Sequence, residues 1–271
     1  MSEPIVVDDP RDPRLADYVG LRDAELRRHV EGEFGLFIAE GVLTIRALLR
    51  SRYQIRSLLV TPAKWAALAS DVERAGVAAP VYVADRSLLA AVAGFNLHRG
   101  AVAAADRLPL PEPTELLGGV DVVAVVEGVN DLENLGAVFR NAAAFDVGAV
   151  LLDPTSADPL YRRVVRVSLG HVLHVPFTRL APWPDGLALV RSAGFELLAL
   201  TPRREARPID EVAGDRPGRV ALLLGAEGPG LSDEALGRAD RLVRVRMAEG
   251  VDSLNVATAA AIAFYELRRS R

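Results

Sequence analysis

The sequence predicts an α/β protein whose C-terminal part is built on a parallel sheet. Apolar runs that are almost continuous in Val, Leu and Ala alternate with helical patterns there. Strands that helices cover on both faces have this unbroken pattern, which indicates a parallel sheet. The predicted strands of this part are "VDVVAVVEGV", "GAVLLD", "HVLHVPF", "FELLALT", "RVALLLG" and "RLVRVRM".

The first third of the chain predicts a separate, smaller α/β domain. Helix patterns cover 12–31, 41–51, 62–76 and 85–94, and strand patterns cover 35–40, 55–61, 80–84 and 99–105. Three prolines then fall between Pro109 and Pro113, which is typical of a linker. We therefore predict domains at 1–106 and 120–271, joined by a linker at 107–119.

Composition limits the functional classes. The chain has 271 residues, half of them hydrophobic, and it has no cysteine, which excludes disulfides, a cysteine nucleophile and cysteine-based zinc sites. No apolar run approaches the roughly 20 residues that span a membrane. The acidic, proline-broken start also differs from a signal peptide. We expect a cytoplasmic protein without a membrane partner.

Charge gives two opposed indications about nucleic acid. The formal net charge of −4 argues against a nucleic-acid partner. Arginines nevertheless cluster in "LRDAELRRH", "YRRVVR", "TPRREARP" and "ELRRSR", and arginine can grip phosphates through two parallel hydrogen bonds. From composition alone, the favoured interpretation is that these arginines lie on ordinary solvent-exposed faces, where a GC-rich genome encodes arginine instead of lysine.

Three unusual loops follow predicted strands, and ligands of open α/β sheets bind beyond the carboxyl ends of strands. The first, "NDLENLGAVFRNA", opens a helix with Asn134 as N-cap candidate and carries Arg140 off the apolar stripe. An ordinary capped helix with a solvated arginine would have the same pattern.

The second loop, "GAEGPG", places glycines around Glu227, where backbone can approach a ligand closely. An ordinary strand-to-helix turn is the alternative. The third, "AEGVDSLN", precedes a long Ala-rich helix that Ser253 or Asp252 can cap, with Asn255 in its first turn. Each loop alone is weak evidence for a site, but the three together indicate one site at the edge of one sheet.

The stretches "NxxNLGAVFRNA", "LLLGAEGPGLS" and "VRMAEGVDSLNVATAAAIA" resemble the three ordered motifs of the SpoU/TrmH-type RNA ribose methyltransferases, of the SPOUT class. The resemblance covers about residues 120–271. More weakly, "FIAEGVLTIRALL" and "GFNLHRGAVAAA" resemble the ribosomal-protein-like RNA-binding domain often fused in front. One departure is Arg246, where the family usually has proline before the methionine.

The resemblance implies a C-terminal trefoil knot, S-adenosylmethionine as cofactor and no metal. It also implies a homodimer in which each active site is completed across the interface. The implied reaction is methylation of a ribose 2′-hydroxyl in RNA, with ribosomal RNA favoured and transfer RNA possible. The implied catalytic residues are Asn134, Arg140, Glu227, Ser253 and Asn255. The implied cofactor-binding residues are Thr201, Gly225, Glu227, Gly228, Val245, Met247 and Leu254.

Roles carried over from the motifs are specific. Arg140 would contact the ribose hydroxyl or a neighbouring phosphate, Glu227 would order the glycine loop and Arg140, and Ser253 and Asn255 would position the ribose or brace Arg140. The front domain would supply RNA affinity through its arginines, among them Arg22, Arg27, Arg28 and Arg46.

Two other functions stay open. An RNA-binding protein of the same fold would bind the cofactor without methylating RNA. A nucleotide-dependent oxidoreductase would also use an α/β sheet, although the glycine order of "GAEGPG" differs from G-x-G-x-x-G.

Overall fold

A computed structural model describes residues 3–21, 35–97, 99–215, 218–251 and 253–269. Its strands, in chain order, are β1 Ile5–Val6, β2 Leu36–Glu40, β3 Ile55–Val60, β4 Val81–Val83, β5 Ala101–Asp106, β6 Val122–Glu127, β7 Ala149–Leu152, β8 Phe177–Arg179, β9 Glu196–Leu200, β10 Arg207–Pro208, β11 Val220–Gly225 and β12 Arg241–Arg244. Its α-helices are α1 Val42–Leu49, α2 Pro62–Arg74, α3 Arg86–Ala93, α4 Pro113–Leu117, α5 Leu132–Ala144, α6 Arg162–Val167, α7 Leu187–Ser192, α8 Ile209–Gly214, α9 Asp233–Arg238 and α10 Val256–Arg269.

The chain divides into two compact units. The first comprises Met1–Pro109 and Leu160–His174, and the second comprises Leu110–Pro159 and Val175–Arg271. The first unit thus includes a segment from the middle of the sequence, which contains α6. The predicted boundaries at 106 and 120 stay a prediction about functional domains. None of the helices in the described ranges has the length and apolarity to span a bilayer.

The first unit contains a five-stranded mixed sheet in the order β1-β4-β3-β5-β2. β5 runs antiparallel to both β2 and β3. Pro62 in the first turn of α2 and Gly76, with φ +64° just past its end, mark the ends of this helix where the sequence predicts them. Of the helix predicted over 12–31, the structure shows a 3₁₀ turn at Pro13–Tyr18, and residues 22–34 lie outside the described ranges.

The segment 160–174 is held in the first unit by a buried ion-pair cluster. Glu40, at the end of β2, is 3% exposed and pairs with Arg162 and Arg166 of α6. The Arg162 guanidinium also lies 4.9 Å from the centre of the Phe95 ring. His174 bonds through Nε2 to the carbonyl of Ala47 at 3.0 Å. These contacts make α6 part of the first unit's core.

The second unit contains a seven-stranded sheet in the order β10-β12-β9-β11-β6-β7-β8. Every neighbouring pair in it is parallel. The predicted α/β fold with a parallel C-terminal sheet is therefore confirmed, and the trefoil knot stays a prediction. The carboxyl ends of β9, β11, β12 and β6 all meet at one edge, which is where the three loops emerge.

One strand prediction was wrong. "HVLHVPF" was predicted as a single strand, but His171–Leu173 form a 3₁₀ turn of the first unit and β8 begins only at Phe177. Gly170 precedes the turn with φ +82°, a left-handed conformation that starts the turn instead of a strand. Val172 and Leu173 are apolar because the first unit buries them, so the pattern did not separate the two structures.

Candidate active site

A cavity of about 370 Å³ lies at the carboxyl edge of the parallel sheet of the second unit. Its walls come from the loops after β9, β11 and β12 and from the start of α10. All of the residues predicted to bind the cofactor line it: Thr201, Gly225, Glu227, Gly228, Val245, Met247 and Leu254. Ser253 and Asn255 of the predicted catalytic set line it as well. The sheet therefore brings two of the three loops to one cavity.

Leu200, Pro202 and Ala259 also line the cavity and were not predicted. Leu200 and Pro202 flank Thr201 at the end of β9, and Ala259 lies in the first turns of α10. An apolar strand end gives no sign of facing a ligand rather than the core, so sequence reasoning had little signal for them.

The loop after β11 folds back tightly on its own strand. A Cβ at Gly225 would overlap the backbone of Gly230 and Leu231, so only glycine allows this approach. Ala226 and Gly230 form an isolated bridge, with the Gly230 N–H donating to the Ala226 carbonyl at 3.0 Å. Gly230 adopts φ +74°, which L side chains rarely adopt. The turn between them presents the exposed Glu227 at the cavity.

Asn255 is the hub of the site. Its Nδ2 donates to Glu227 Oε1 at 2.6 Å and to Asn134 Oδ1 at 2.7 Å. Its Oδ1 accepts from the N–H groups of Ala257 at 3.0 Å and Thr258 at 3.2 Å. Two acceptors on one side and two donors on the other determine the orientation of the amide. Asn255 thus links all three loops.

The predicted caps of α10 and α5 were wrong. Asn255, and not the exposed Ser253, caps α10, because its side-chain oxygen accepts hydrogen bonds from two N–H groups of the first turn. Asp252 lies outside the described residues. In α5 the cap is Asp131, which accepts from the N–H groups of Glu133 at 2.9 Å and Asn134 at 2.8 Å. Asn134 lies inside the first turn, buried, and faces Asn255.

Arg140 stands apart from this cluster. It is exposed, as its position off the apolar stripe of α5 predicts. It does not line the cavity and makes no hydrogen bond or ion pair with any part of the chain that the structure describes, so the expected pairing with Glu227 is not found there. Six residues after Asn134, it is about 9 Å further along the helix and about 240° around it. One chain therefore brings together Asn134, Glu227 and Asn255 but not Arg140.

Two carboxylates that sequence reasoning missed brace the loops. Glu127, at the end of β6, accepts hydrogen bonds from Trp183 and Ser232. Asp153, 1% exposed after β7, accepts from the N–H of Gly128 at 3.0 Å and from Ser156 Oγ at 2.5 Å. The available signal was an acidic residue directly ending an apolar strand, "VVEG" and "LLDP".

The ionisation of Asp153 follows from this cage. Burial by itself raises its pKa, but the hydrogen bonds from Ser156, Thr155 and the Gly128 N–H together outweigh burial, so the pKa lies below its ordinary range. Asp153 is therefore a carboxylate at neutral pH, and it ties the loop after β7 to the loop after β6.

Arg246 is not among the residues that line the cavity, although its neighbours Val245 and Met247 are. Its guanidinium pairs with Asp210 at 3.2 Å and with Glu211, both in the first turn of α8. These partners, Asp210 first, raise the pKa of Arg246 above its ordinary value. An ion pair thus restrains the segment at the position where the resemblance leads us to expect proline.

The front-domain arginines are only partly described. Arg22, Arg27 and Arg28 lie outside the described residues. Arg46 is half-buried, and its Nε donates to Asp71 at 2.7 Å, a hydrogen bond that lowers the pKa of Asp71. Its guanidinium is therefore already engaged within the first unit. Among the described residues, no group of His, Cys, Asp or Glu side chains is arranged to hold a metal ion.

Known proteins with a similar sequence and fold place this site in a family. Residues 121–265 match the SpoU rRNA Methylase family. An uncharacterized tRNA/rRNA methyltransferase of Mycobacterium tuberculosis is 49% identical over 263 residues, which cover 97% of this chain and 91% of that protein. A 23S rRNA (guanosine-2′-O-)-methyltransferase of Ralstonia nicotianae is 32% identical over 192 residues, covering 69% of this chain and 76% of that protein.

The fold is shared with a solved relative. The crystal structure of an AdoMet-bound rRNA methyltransferase from Sinorhizobium meliloti superposes with a TM-score of 0.81 at 24% identity, over 99% of this chain and 98% of that chain. The family resemblance inferred from the three motifs is confirmed. With the family match spanning more than half of the chain, this protein belongs to the SpoU family of RNA methyltransferases.

Proposed function

We propose that this protein transfers a methyl group from S-adenosylmethionine to a ribose 2′-hydroxyl of RNA, with ribosomal RNA as the favoured substrate. The observation that carries the proposal is the cavity at the sheet edge, beside which Asn255 donates hydrogen bonds to both Asn134 and Glu227. The Ralstonia relative is named as a guanosine-2′-O-methyltransferase of 23S rRNA, which supports both the ribose and the ribosomal RNA.

The cavity suits the proposed cofactor. Its volume of about 370 Å³ falls in the range of small-molecule sites, about 300–1,000 Å³. Its walls are largely apolar, as an adenine ring requires. The glycine loop exposes backbone groups that can bind polar edges, because Gly225 and Gly228 carry no side chain there. When bound, S-adenosylmethionine supplies a methyl group already activated on a positively charged sulfur.

The side chains beside the cavity would orient the ribose. Asn255 holds Asn134 and Glu227 at fixed distances, so Glu227 Oε2 would be a preorganised acceptor and Asn134 Nδ2 a preorganised donor for hydroxyl groups. Alignment is the main requirement when the methyl group is already activated. The released proton would pass to a phosphate oxygen or to solvent, because a guanidinium is effectively never deprotonated and Arg140 is a poor base.

Arg140 would act in a homodimer, on the active site of the second copy. Its position around α5 separates it from the Asn134–Asn255–Glu227 cluster of its own chain, and it is exposed without a partner among the described residues. There it would orient the ribose hydroxyl and the adjacent phosphate through its planar fork. Tyr265 of α10, 51% exposed, is the kind of aromatic surface that such an interface would cover.

The test of the proposed function uses purified protein, radiolabelled S-adenosylmethionine, and 23S ribosomal RNA and total tRNA from a strain lacking this gene. We expect methyl transfer to the ribosomal RNA and recovery of a 2′-O-methyl nucleoside after complete digestion. Incorporation into a base would refute the ribose as acceptor, and incorporation only into tRNA would refute the favoured substrate. Cofactor binding without transfer to any RNA would favour the RNA-binding alternative.

A subunit-mixing experiment tests the composite site. Arg140→Ala and Asn255→Asp are each expected to be strongly impaired, but a mixed dimer would contain one site with both residues intact. Coexpression of the two variants should therefore restore part of the activity. Absence of recovery in verified mixed dimers would place both residues in the same site of one chain.

A further inference from the structure

The Glu127 carboxylate receives three hydrogen bonds at the end of β6. Trp183 Nε1 donates to Oε1 at 2.6 Å, Ser232 Oγ donates to Oε1 at 2.6 Å, and the Ser232 N–H donates to Oε2 at 2.8 Å. The side chain is half-buried, and bonds of this kind to an ionised acceptor are about twice as strong as neutral ones. Both oxygens are occupied, so the carboxylate has one well-defined orientation.

Ser232 is the last residue of the connection between β11 and α9, which contains the glycine turn. Its Oγ caps α9 by accepting from the Ala235 N–H at 3.2 Å. The loop starts at Gly225, which lies directly opposite Glu127 in the pairing of β11 with β6. Glu127 therefore stands beside the first residue of the loop and is bonded to its last residue.

The loop has few other fixed points between these ends. The Ala226–Gly230 bridge closes the turn on itself but does not bond it to another element. Glu227 at the tip is exposed and is bonded to Asn255. The position of Gly228 and Glu227 at the cavity thus depends on how firmly the ends are held. Pairing of β11 holds the first end, and the far end is held by the burial of Leu231 in the apolar core and by the bonds from Ser232 to Glu127.

We infer that Glu127 is a positioning residue for the cofactor-binding loop, acting through Ser232 and not by touching the reactants. The inference rests on the proposed function for the identity of the ligand. Replacing the carboxylate with an amide leaves the Ser232 N–H facing a neutral group and loosens the far end of the loop, which burial of Leu231 then holds without the charged acceptor. The consequence is a weaker S-adenosylmethionine complex with little change in the rate once the cofactor is bound.

The main variant is Glu127→Gln, which keeps the shape and removes the charge. We expect the dissociation constant for S-adenosylmethionine, measured by calorimetry, to rise about tenfold to a hundredfold, the loss that corresponds to one hydrogen bond to a charged group. The KM for the cofactor should rise equally, and kcat at saturation should stay within about twofold. A brace of the fold alone would not separate KM from kcat in this way.

Two control variants separate positioning from general stability. Glu196→Gln removes a half-buried carboxylate at the other end of the same sheet, where it pairs with Arg241 at 2.6 Å, and should leave cofactor affinity unchanged. Trp183→Phe removes a donor to the same Glu127 carboxylate but leaves the Ser232 bonds in place, and should have a small effect. The double variant Glu127→Gln/Ser232→Ala should cost clearly less than the sum of the single variants, because both remove one interaction.

Hydrogen exchange of the cofactor-free protein distinguishes this inference from the proposed function. Amides of 226–231 should exchange faster in Glu127→Gln than in wild type or Glu196→Gln. If wild type binds no S-adenosylmethionine while this acceleration is seen, the proposed function fails and the positioning role of Glu127 stands. Unchanged loop exchange, or an affinity loss equal to that of Glu196→Gln, would overturn the inference.

Discussion

Asn255→Asp offers a sharp test of the site because it changes one half of the side chain and keeps the other. The oxygen that accepts from the N–H groups of Ala257 and Thr258 is retained, so the cap of α10 survives. The amide nitrogen that donates to Glu227 and Asn134 is replaced by an oxygen of a second carboxylate. The variant therefore isolates the link between the loops from the stability of the helix.

The magnitude follows from the contacts. Losing a hydrogen bond to the Glu227 carboxylate costs about 1.5–3 kcal/mol. Placing the new carboxylate opposite the Glu227 carboxylate, at a solvent-exposed position, adds about 1 kcal/mol of repulsion. The total of about 2.5–4 kcal/mol corresponds to a reduction of about 60- to 700-fold in kcat/KM for RNA methylation. The melting temperature should change little, since a cap worth about 1 kcal/mol is kept.

Single-turnover methylation and thermal melting on the same preparations provide the assay. Asn255→Ala is the matched comparison, because it loses the cap as well and should melt at a lower temperature. Adding Glu227→Gln to Asn255→Asp should recover activity, since a glutamine amide can donate to the new carboxylate. Wild-type kcat/KM in Asn255→Asp would show that the linked cluster has no part in the reaction.

Three further perturbations have outcomes that the structure determines. Arg140→Ala should reduce turnover by at least about a hundredfold, with cofactor affinity and melting temperature unchanged because the side chain is exposed; a parallel loss of stability and cofactor binding would instead make this arginine structural. Glu40→Ala should lower the free energy of unfolding by about 3 kcal/mol, because two arginines of a buried cluster lose their shared carboxylate. Asp71→Asn changes a more exposed ion pair and should lower it by about 1 kcal/mol or less. Equal shifts in denaturant midpoint for the two variants would contradict this. Because the folded pKa of Asp153 is depressed, its contribution to stability is present above the ordinary aspartate pKa of about 4 and is lost as pH falls through the folded value. Urea unfolding from pH 7 to pH 3 should therefore show wild type and Asp153→Asn converging on the acid side, and a constant difference would refute the assignment.

Local chemistry in the sequence was sufficient to predict most elements of both units. Continuous apolar runs such as "VVAVV" and "VALLL" require burial on both faces, which only a parallel sheet covered by helices provides. Pro62 and Gly76 mark the ends of α2 through their backbone preferences, which act without distant partners. The three loops could be expected at one edge because loops after parallel strands emerge on one side of the sheet. The individual cavity residues were predicted through the resemblance of those loops to the family motifs.

The prediction was less accurate where the role of a side chain depends on hydrogen-bond partners that are distant in the sequence. Asn255 and Asn134 are 121 positions apart in the chain, so no local pattern indicates that they form a hydrogen bond. No local pattern indicates either that Asn255 and not Ser253 is the N-cap of α10. Asp131 and Asn134 are both good cap residues, and the choice depends on where the tertiary structure lets the helix begin.

Only the tertiary structure decided which unit each segment joins and which acids brace the site. The sequence "YRRVVRVSLGHVLH" lies between two strands of the second unit, yet it packs in the first because Glu40 there pairs with Arg162 and Arg166. In the sequence, Glu127 is simply a polar residue at the end of a predicted strand. Only the folded chain shows that Ser232, 105 positions later, donates a hydrogen bond to it. Hydrophobic periodicity is a local property that a sequence displays directly, whereas hydrogen bonds and ion pairs between remote residues exist only after the chain has folded.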